Sequence, residues 1–226
     1  MADKLPKRTF TDLFNDQLPV LHIKFDVKST EESPITVIIQ NKLYKQSNAK
    51  GSAYVNSICA HEKLKEFADF YQAYDGFELA TPVEPKSAVK VPLLKQLAAS
   101  TIKSYTEQYL PGGKFGWTIQ HNAQSTIKSL YHGTDKWIVF AQIDDGPACL
   151  TTFLEGENAG NIFILMPEPR FNVLKPIAKG FNAFLDRIAK DPAAFLKLIR
   201  ASVRINKDDG FRYGYVPIEY FDNVPQ

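Results

Sequence analysis

"DKWIVFAQIDDGPACLTTFLEGENAGNIFILM", Asp135 to Met166, decides the fold. It holds three short apolar runs, WIVFAQI, CLTTFLE and NIFILM, separated by the turn sequences DDGP and GENAG. Runs of this length, rich in β-branched and aromatic residues and bounded by Asp, Gly and Pro, read as strands. Connections this short join antiparallel neighbours, because a parallel return needs a crossover of a dozen residues or more. The stretch therefore predicts an antiparallel meander with Trp137 on a central strand. Asp144 and Asp145 sit where the first run stops. Adjacent residues of an extended strand point to opposite faces, so the two carboxylates are poorly placed to converge on one atom. Followed by Gly146 and Pro147, they read as a turn whose side chains bond local amides. An acidic docking patch for a basic partner is the functional reading that survives.

Working upstream, VLHIKFDV and ITVIIQNKLY read as two antiparallel strands joined by a polar loop, after a short helix in TFTDLFNDQL. In HEKLKEFADFYQAYDG the period changes: Leu64, Phe67, Tyr71 and Tyr74 fall at helical spacing. The spacing predicts a helix near 62–74, with Gly76 as its left-handed C-terminal cap at positive φ. GFELA reads as a strand and TPVEPKSAVKVP as a loop. LLKQLAASTIKSYTEQYL reads as a helix stopped by PGG, LPGGKFG as a hairpin entry, and FGWTIQ and SLYHG as strands. Downstream, IAKGFNAFLDRIAKD predicts an amphipathic helix over 176–189 with Ile177, Phe181, Phe184, Leu185 and Ile188 inward. Pro192 can open a further helix, PAAFLKLIRASV, and the aromatic tail FRYGYVPIEYFDNVPQ reads as irregular. The order predicts an α+β fold, an antiparallel sheet with helices packed on it. Residues 1–58 are expected to be an N-terminal extension with a β-hairpin packed on a main domain of residues 59–226.

The chain has 226 residues, 44% hydrophobic and 12% aromatic, enough for a real core. Its net charge of +2 gives no reason to expect a nucleic-acid-sized electrostatic footprint. Cys59 and Cys149 lie far apart in apolar surroundings; a disulfide is open, and reduced buried thiols are the plainer reading. The N-terminus lacks the apolar core of a secretory signal, and no run approaches transmembrane length. The expectation is a cytoplasmic protein with no membrane partner.

Tests for chemistry come back empty. HEKLK, at His61, has Lys65 where a zincin motif has its second histidine, and His22, His61, His121 and His132 show no ligand spacing. There is no Gly-x-Ser-x-Gly elbow and no Cys-x-x-Cys pair. Cys149 sits in a strand with no neighbouring cation to favour thiolate. The glycines of LPGGKFG lack the Gly-Lys-Ser/Thr ending of a phosphate loop. Lys197, Arg200 and Arg204 are spaced for one helix face, which reads as a solvated stripe.

From about His61 to Asp191 the chain resembles the SUKH superfamily, which includes fungal cell-wall synthesis regulators, Syd proteins and bacterial toxin-immunity proteins. LKEFADFYQAYDGFEL is similar to the family's helix ending in an Asp-Gly turn before a strand. The 135–166 stretch is similar to its Trp-bearing strand and the two that follow, and IAKGFNAFLDRIAKD to its closing helix with an F..FL pattern. The lead-in before His61 and the sequence SICAHEKL, where the family has Leu-Pro, depart from the pattern. The resemblance implies a protein that acts by binding proteins and shares no catalytic residues or cofactor.

The expectation is thus a non-enzymatic protein-binding module, an immunity-type protein that neutralises a toxin domain or an intracellular regulator of the same fold. Its candidate contact residues are Tyr74, Asp75, Phe77, Asp144 and Asp145, with core as the other reading of Tyr74 and Phe77. Gly76, Trp137, Gly146, Phe181 and Phe184 are assigned structural roles. The alternatives are an enzyme with a site assembled from distant residues such as Glu155, Glu157, His121 and His132, and a small-molecule scaffold with a deep apolar pocket. The oligomeric state is left open by the sequence.

Overall fold

The computed structural model describes residues 9–15, 20–23, 35–46, 49–59, 62–84, 92–121, 131, 136–144, 146–166, 175–199, 202–207, 210–215 and 218–221. Its strands are β1 (Val20–Ile23), β2 (Ile35–Lys45), β3 (Tyr74–Glu84), β4 (Leu94–Gln96), β5 (Trp137–Ile143), β6 (Cys149–Phe153), β7 (Asn161–Leu165), β8 (Ala178–Lys179), β9 (Ser202–Lys207), β10 (Gly210–Tyr215) and β11 (Ile218–Phe221). Its helices are α1 (Ala49–Ile58), α2 (Lys65–Ala73), α3 (Ile102–Glu107), α4 (Trp117–Gln120), α5 (Phe181–Lys190) and α6 (Pro192–Leu198). Among the described residues, nine strands form one sheet in the order β11-β1-β2-β3-β4-β5-β6-β7-β8, and β9 pairs with β10 separately. All pairings within these sheets are antiparallel. The fold is α+β, as the strand and helix order predicts, and the expected meander is β5, β6 and β7. The hairpin of β1 and β2 is part of this sheet, because β2 pairs with β3 from Ile38 to Lys45.

The apolar core lies against one face of the sheet over β3 to β5. Phe77 of β3 and Phe140 of β5 point to the same side as α2 and α5. The Phe140 ring stacks edge-on against Phe67, Phe181 and Phe184 at 5.5 to 5.9 Å. Such edge-to-face pairs suit the ring quadrupoles. The stripe of α5 is inward as predicted: Phe181, Phe184 and Ile188 are buried. Ile177 is not on that helix. It precedes β8, and α5 begins only after Gly180, whose φ of +100° breaks the run. Gly180 has no side chain to cap the helix, so Glu66 of α2 does it: its Oε2 accepts from the Asn182 amide at 2.9 Å. The next helix has the predicted opening, with Pro192 at its first turn and Asp191 Oδ1 accepting from Ala194 N at 2.9 Å.

On the second face, Tyr131 and α3 pack over β5 and β6. Tyr131, itself helical, lies 4.9 Å edge-on to Trp137 and its hydroxyl is 2.7 Å from the Thr151 hydroxyl. Thr106 of α3 accepts the Val139 amide at 3.0 Å.

Several local readings are corrected. LLKQLAASTIKSYTEQYL is not one helix: Leu94–Gln96 pair with β5, and the helix starts at Ile102. Leu94 and Gln96 are buried with Lys95 exposed between them, so the strand's period of two wins over the helical stripe. WTIQ is helical rather than a strand, Tyr131 of SLYHG is helical, and the α1 helix was not legible in SNAKGSAYVNSIC. Ser202 to Lys207 form β9, so Arg204 does not share a helix face with Lys197, and the tail holds β10 and β11. Arg200 lies outside the described residues. Gly76 has the predicted positive φ, +101°, but it is not a helix cap: α2 ends at Ala73, Tyr74 is already extended, and Gly76 lies within β3.

Candidate functional site

Asp144 ends β5 as the turn reading requires. Its φ is +45°, a conformation Asp tolerates, and its Oδ1 accepts the Gly146 amide at 2.7 Å. Asp145 lies outside the described residues. Of the helix-to-strand candidates, Asp75 uses its Oδ1 to accept the Ala99 amide at 2.9 Å, and Tyr74 is half-buried, its ring 5.2 Å from Phe70. Phe77 is 0% exposed and is not a contact residue. It points to the helical face because it is out of phase with Glu78, so its ring belongs to the core with Phe10 and Phe184. Trp137, Phe181 and Phe184 are buried in the core.

The turn at Asp144 is tied to an aromatic platform. Tyr109 donates its hydroxyl to the Pro147 carbonyl at 2.9 Å, and its ring lies 5.2 Å from Phe115 and 6.0 Å from Tyr105. Burial pushes the Tyr105 phenol up to about 12, and the Asp144 charge adds to the shift. LPGGKFG is therefore no hairpin entry. It is a tight turn that leads into α4: Phe115 N donates to Gln108 O at 2.7 Å, and a Cβ at Gly113 or Gly116 would collide with the carbonyls of Gln108 and Leu110. Only glycine permits that approach. The turn buries Phe115, Thr118 and Ile119 and leaves Trp117 outward, 45% exposed. The sequence carried a signal for this in the apolar-polar mixture of FGWTIQ, but a strand reading put Trp117 in the sheet.

A third arrangement lies on the second sheet face, across β2 to β5. Lys42, Glu78, Lys95 and Gln142 are direct partners across β2, β3, β4 and β5, so they stand in one row on one face. Glu78 is 8% exposed; its Oε1 is 3.2 Å from Lys95 Nζ and its Oε2 accepts the Thr81 hydroxyl at 3.2 Å. Tyr44 stands beside this carboxylate at 41% exposure, and burial followed by the Glu78 charge pushes its phenol up to about 12. A bulge aims these groups. The register of β2 slips between Gln40 and Lys42, and Asn41 turns into the core, donating to Leu13 O at 3.0 Å and accepting the Ala80 amide at 2.9 Å. Ala80 is thereby held at φ +58°, a conformation a non-glycine residue rarely adopts.

Among the described residues of the enzyme alternative, Glu155, Glu157 and His121 make separate contacts. Glu155 pairs with Lys136 at 2.7 Å, Glu157 is exposed, and His121 Nδ1 lies 3.2 Å from the Trp117 carbonyl on its own turn. His61 and His132 lie outside the described residues, and His22 is on β1. Among the described residues, no three His, Cys, Asp or Glu side chains are grouped to hold a metal ion, and no helix is long and apolar enough to cross a membrane. Cys149 and Cys59 are free thiols, and burial pushes each up to about 12, away from the reactive thiolate. No protein-family model and no curated protein matches the chain.

Proposed function

We propose that this chain is a non-catalytic protein-binding module, acting as an intracellular regulator or as an immunity-type protein that neutralises a toxin domain. The observation that carries the reading is Trp117. Tryptophan is the residue most enriched among those that dominate binding energy at interfaces. Here it projects from a turn whose neighbours are buried and whose glycines are in tight backbone contact, so little conformational entropy is lost when a partner covers it. The Asp144 turn is tied to the same aromatic platform through Tyr109 and carries an acidic side chain. The likeness of residues 61–191 to the SUKH pattern supports a protein as the ligand and narrows the role to neutralising or regulating it.

The test uses the full chain and its Trp117→Ala variant as baits. The bound protein is identified, purified and titrated against both by calorimetry. The expected result is a one-to-one complex that Trp117→Ala weakens by about tenfold or more, with an unchanged thermal midpoint. Lysine at both Asp144 and Asp145 should slow association, and this effect should shrink as salt rises. Equal affinity for the wild type and Trp117→Ala would refute the reading.

A further inference from the structure

We propose that the face of β2, β3 and β4 that carries Lys42, Tyr44 and Lys95 docks an acidic segment of a partner polypeptide, with Lys42 and Lys95 pairing its carboxylates and Tyr44 packing against its backbone. This surface involves none of the residues around Trp117 and stands apart from that reading. Three observations converge on it. Among the described residues of this row and its neighbours, Lys95 and Tyr44 are exposed on either side of the buried Glu78, so an ammonium group and an aromatic ring reach solvent there. Its carboxylate is already used: Glu78 is sunk beneath Lys95 and Thr81, so two lysines against one carboxylate leave the row net positive, and the Lys95 side chain remains 47% exposed. The arrangement is also held at a cost in backbone strain, by the Asn41 bulge and Ala80 at φ +58°. Such strain persists where the surroundings fix a particular aim of side chains.

Geometry selects the shape of the ligand. Lys42 and Lys95 are on strands two apart, which places their Cα atoms about 10 Å from each other. An extended chain advances about 7 Å in two residues and only evenly spaced residues share a face, so acidic residues at positions i and i+2 of a segment lying across the strands would meet both lysines through their flexible stems. One exposed ring offers a single stacking surface, whereas single-stranded nucleic acid is held by successive stacked bases, which favours the polypeptide.

The probe is hexaglutamate, titrated at low salt into the isotopically labelled full chain and followed by amide chemical shifts. The expected result is a saturable change centred on Lys42, Tyr44, Glu78 and Lys95. Lys42→Glu should weaken it by about tenfold, and Lys42→Ser by less, with both variants keeping the wild-type spectrum elsewhere. Trp117→Ala should bind hexaglutamate like the wild type, which separates this surface from the Trp117 site. Shifts scattered over unrelated lysines, equal affinity of Lys42→Glu, or tighter binding of a deoxythymidine decamer at the same amides would each overturn the proposal.

Discussion

Replacing Gly76 with alanine should be the most informative single test of the fold. Gly76 sits in β3 at φ +101°, where an L-residue is strained. That alone costs roughly 1–2 kcal/mol. A Cβ built there would also lie 2.6 Å from the Gln96 carbonyl oxygen and 3.2 Å from that of Leu97. Both are backbone atoms of the neighbouring strand and the residue after it, so no side chain can swing aside. Relief requires β3 and β4 to separate at the Glu78–Lys95 and Leu79–Leu94 pairs, and it disturbs the Tyr71 hydroxyl, which donates to the Leu97 carbonyl at 2.7 Å. Overpacking of this kind costs about 1–3 kcal/mol. The sum is about 3 kcal/mol, well above the ~1 kcal/mol of φ strain expected for a simple helix cap. Gly156→Ala is the control, because Gly156 has φ +78° and nothing within 4 Å of the added atom. Urea unfolding at 25 °C, followed by far-ultraviolet circular dichroism, should give equal slopes and a loss about twice as large for Gly76→Ala as for Gly156→Ala. Equal losses for the two would refute the steric argument and leave only the dihedral.

Asn41→Ala should destabilise the protein by about 2 kcal/mol, because it leaves the Leu13 carbonyl and Ala80 amide without the buried amide that now serves them. If the same urea series shows a loss under about 0.5 kcal/mol, the bulge is not held by Asn41. Stability should fall as pH rises from about 9 towards about 12, since the buried Cys149 thiol has its pKa raised from 9.0 to about 12 in the fold. The sign follows from linkage: below 9 neither state ionises, above it the unfolded chain loses the proton that the fold retains. Cys149→Ala should reduce but not remove the pH dependence of the unfolding midpoint between those limits, because burial also raises the Cys59 thiol and the phenols of Tyr71, Tyr105, Tyr109 and Tyr131. The thiols themselves should react with a disulfide reagent at pH 8 only slowly in the folded protein, and promptly in both positions once it is unfolded, because burial disfavours both thiolates.

Sequence alone determined the parts whose signal is local. The 135–166 stretch gave three strands because its apolar runs are short and its turns leave no room for a crossover, and Asp144 was legible as a turn residue because Asp before Gly-Pro carries its own hydrogen-bond partner. The faces of α2 and α5 were legible from the 3.6-residue period of Phe67, Tyr71, Phe181 and Phe184. Tertiary contacts decided the rest. Leu94 to Gln96 carry a pattern that a helix could also satisfy, and they became a strand because β3 and β5 stand on either side to take their amides. The tail became strands through pairing with β1 and β9, partners remote or ambiguous in sequence. Trp117 is outward only because glycines at 113 and 116 fold its turn against residues 108 and 110. The row of Lys42, Glu78 and Lys95 joins residues from three strands through register, and register is set by a bulge that no local pattern announces. Long-range pairing fixes which side chains share a face, and a binding surface is made of such neighbours.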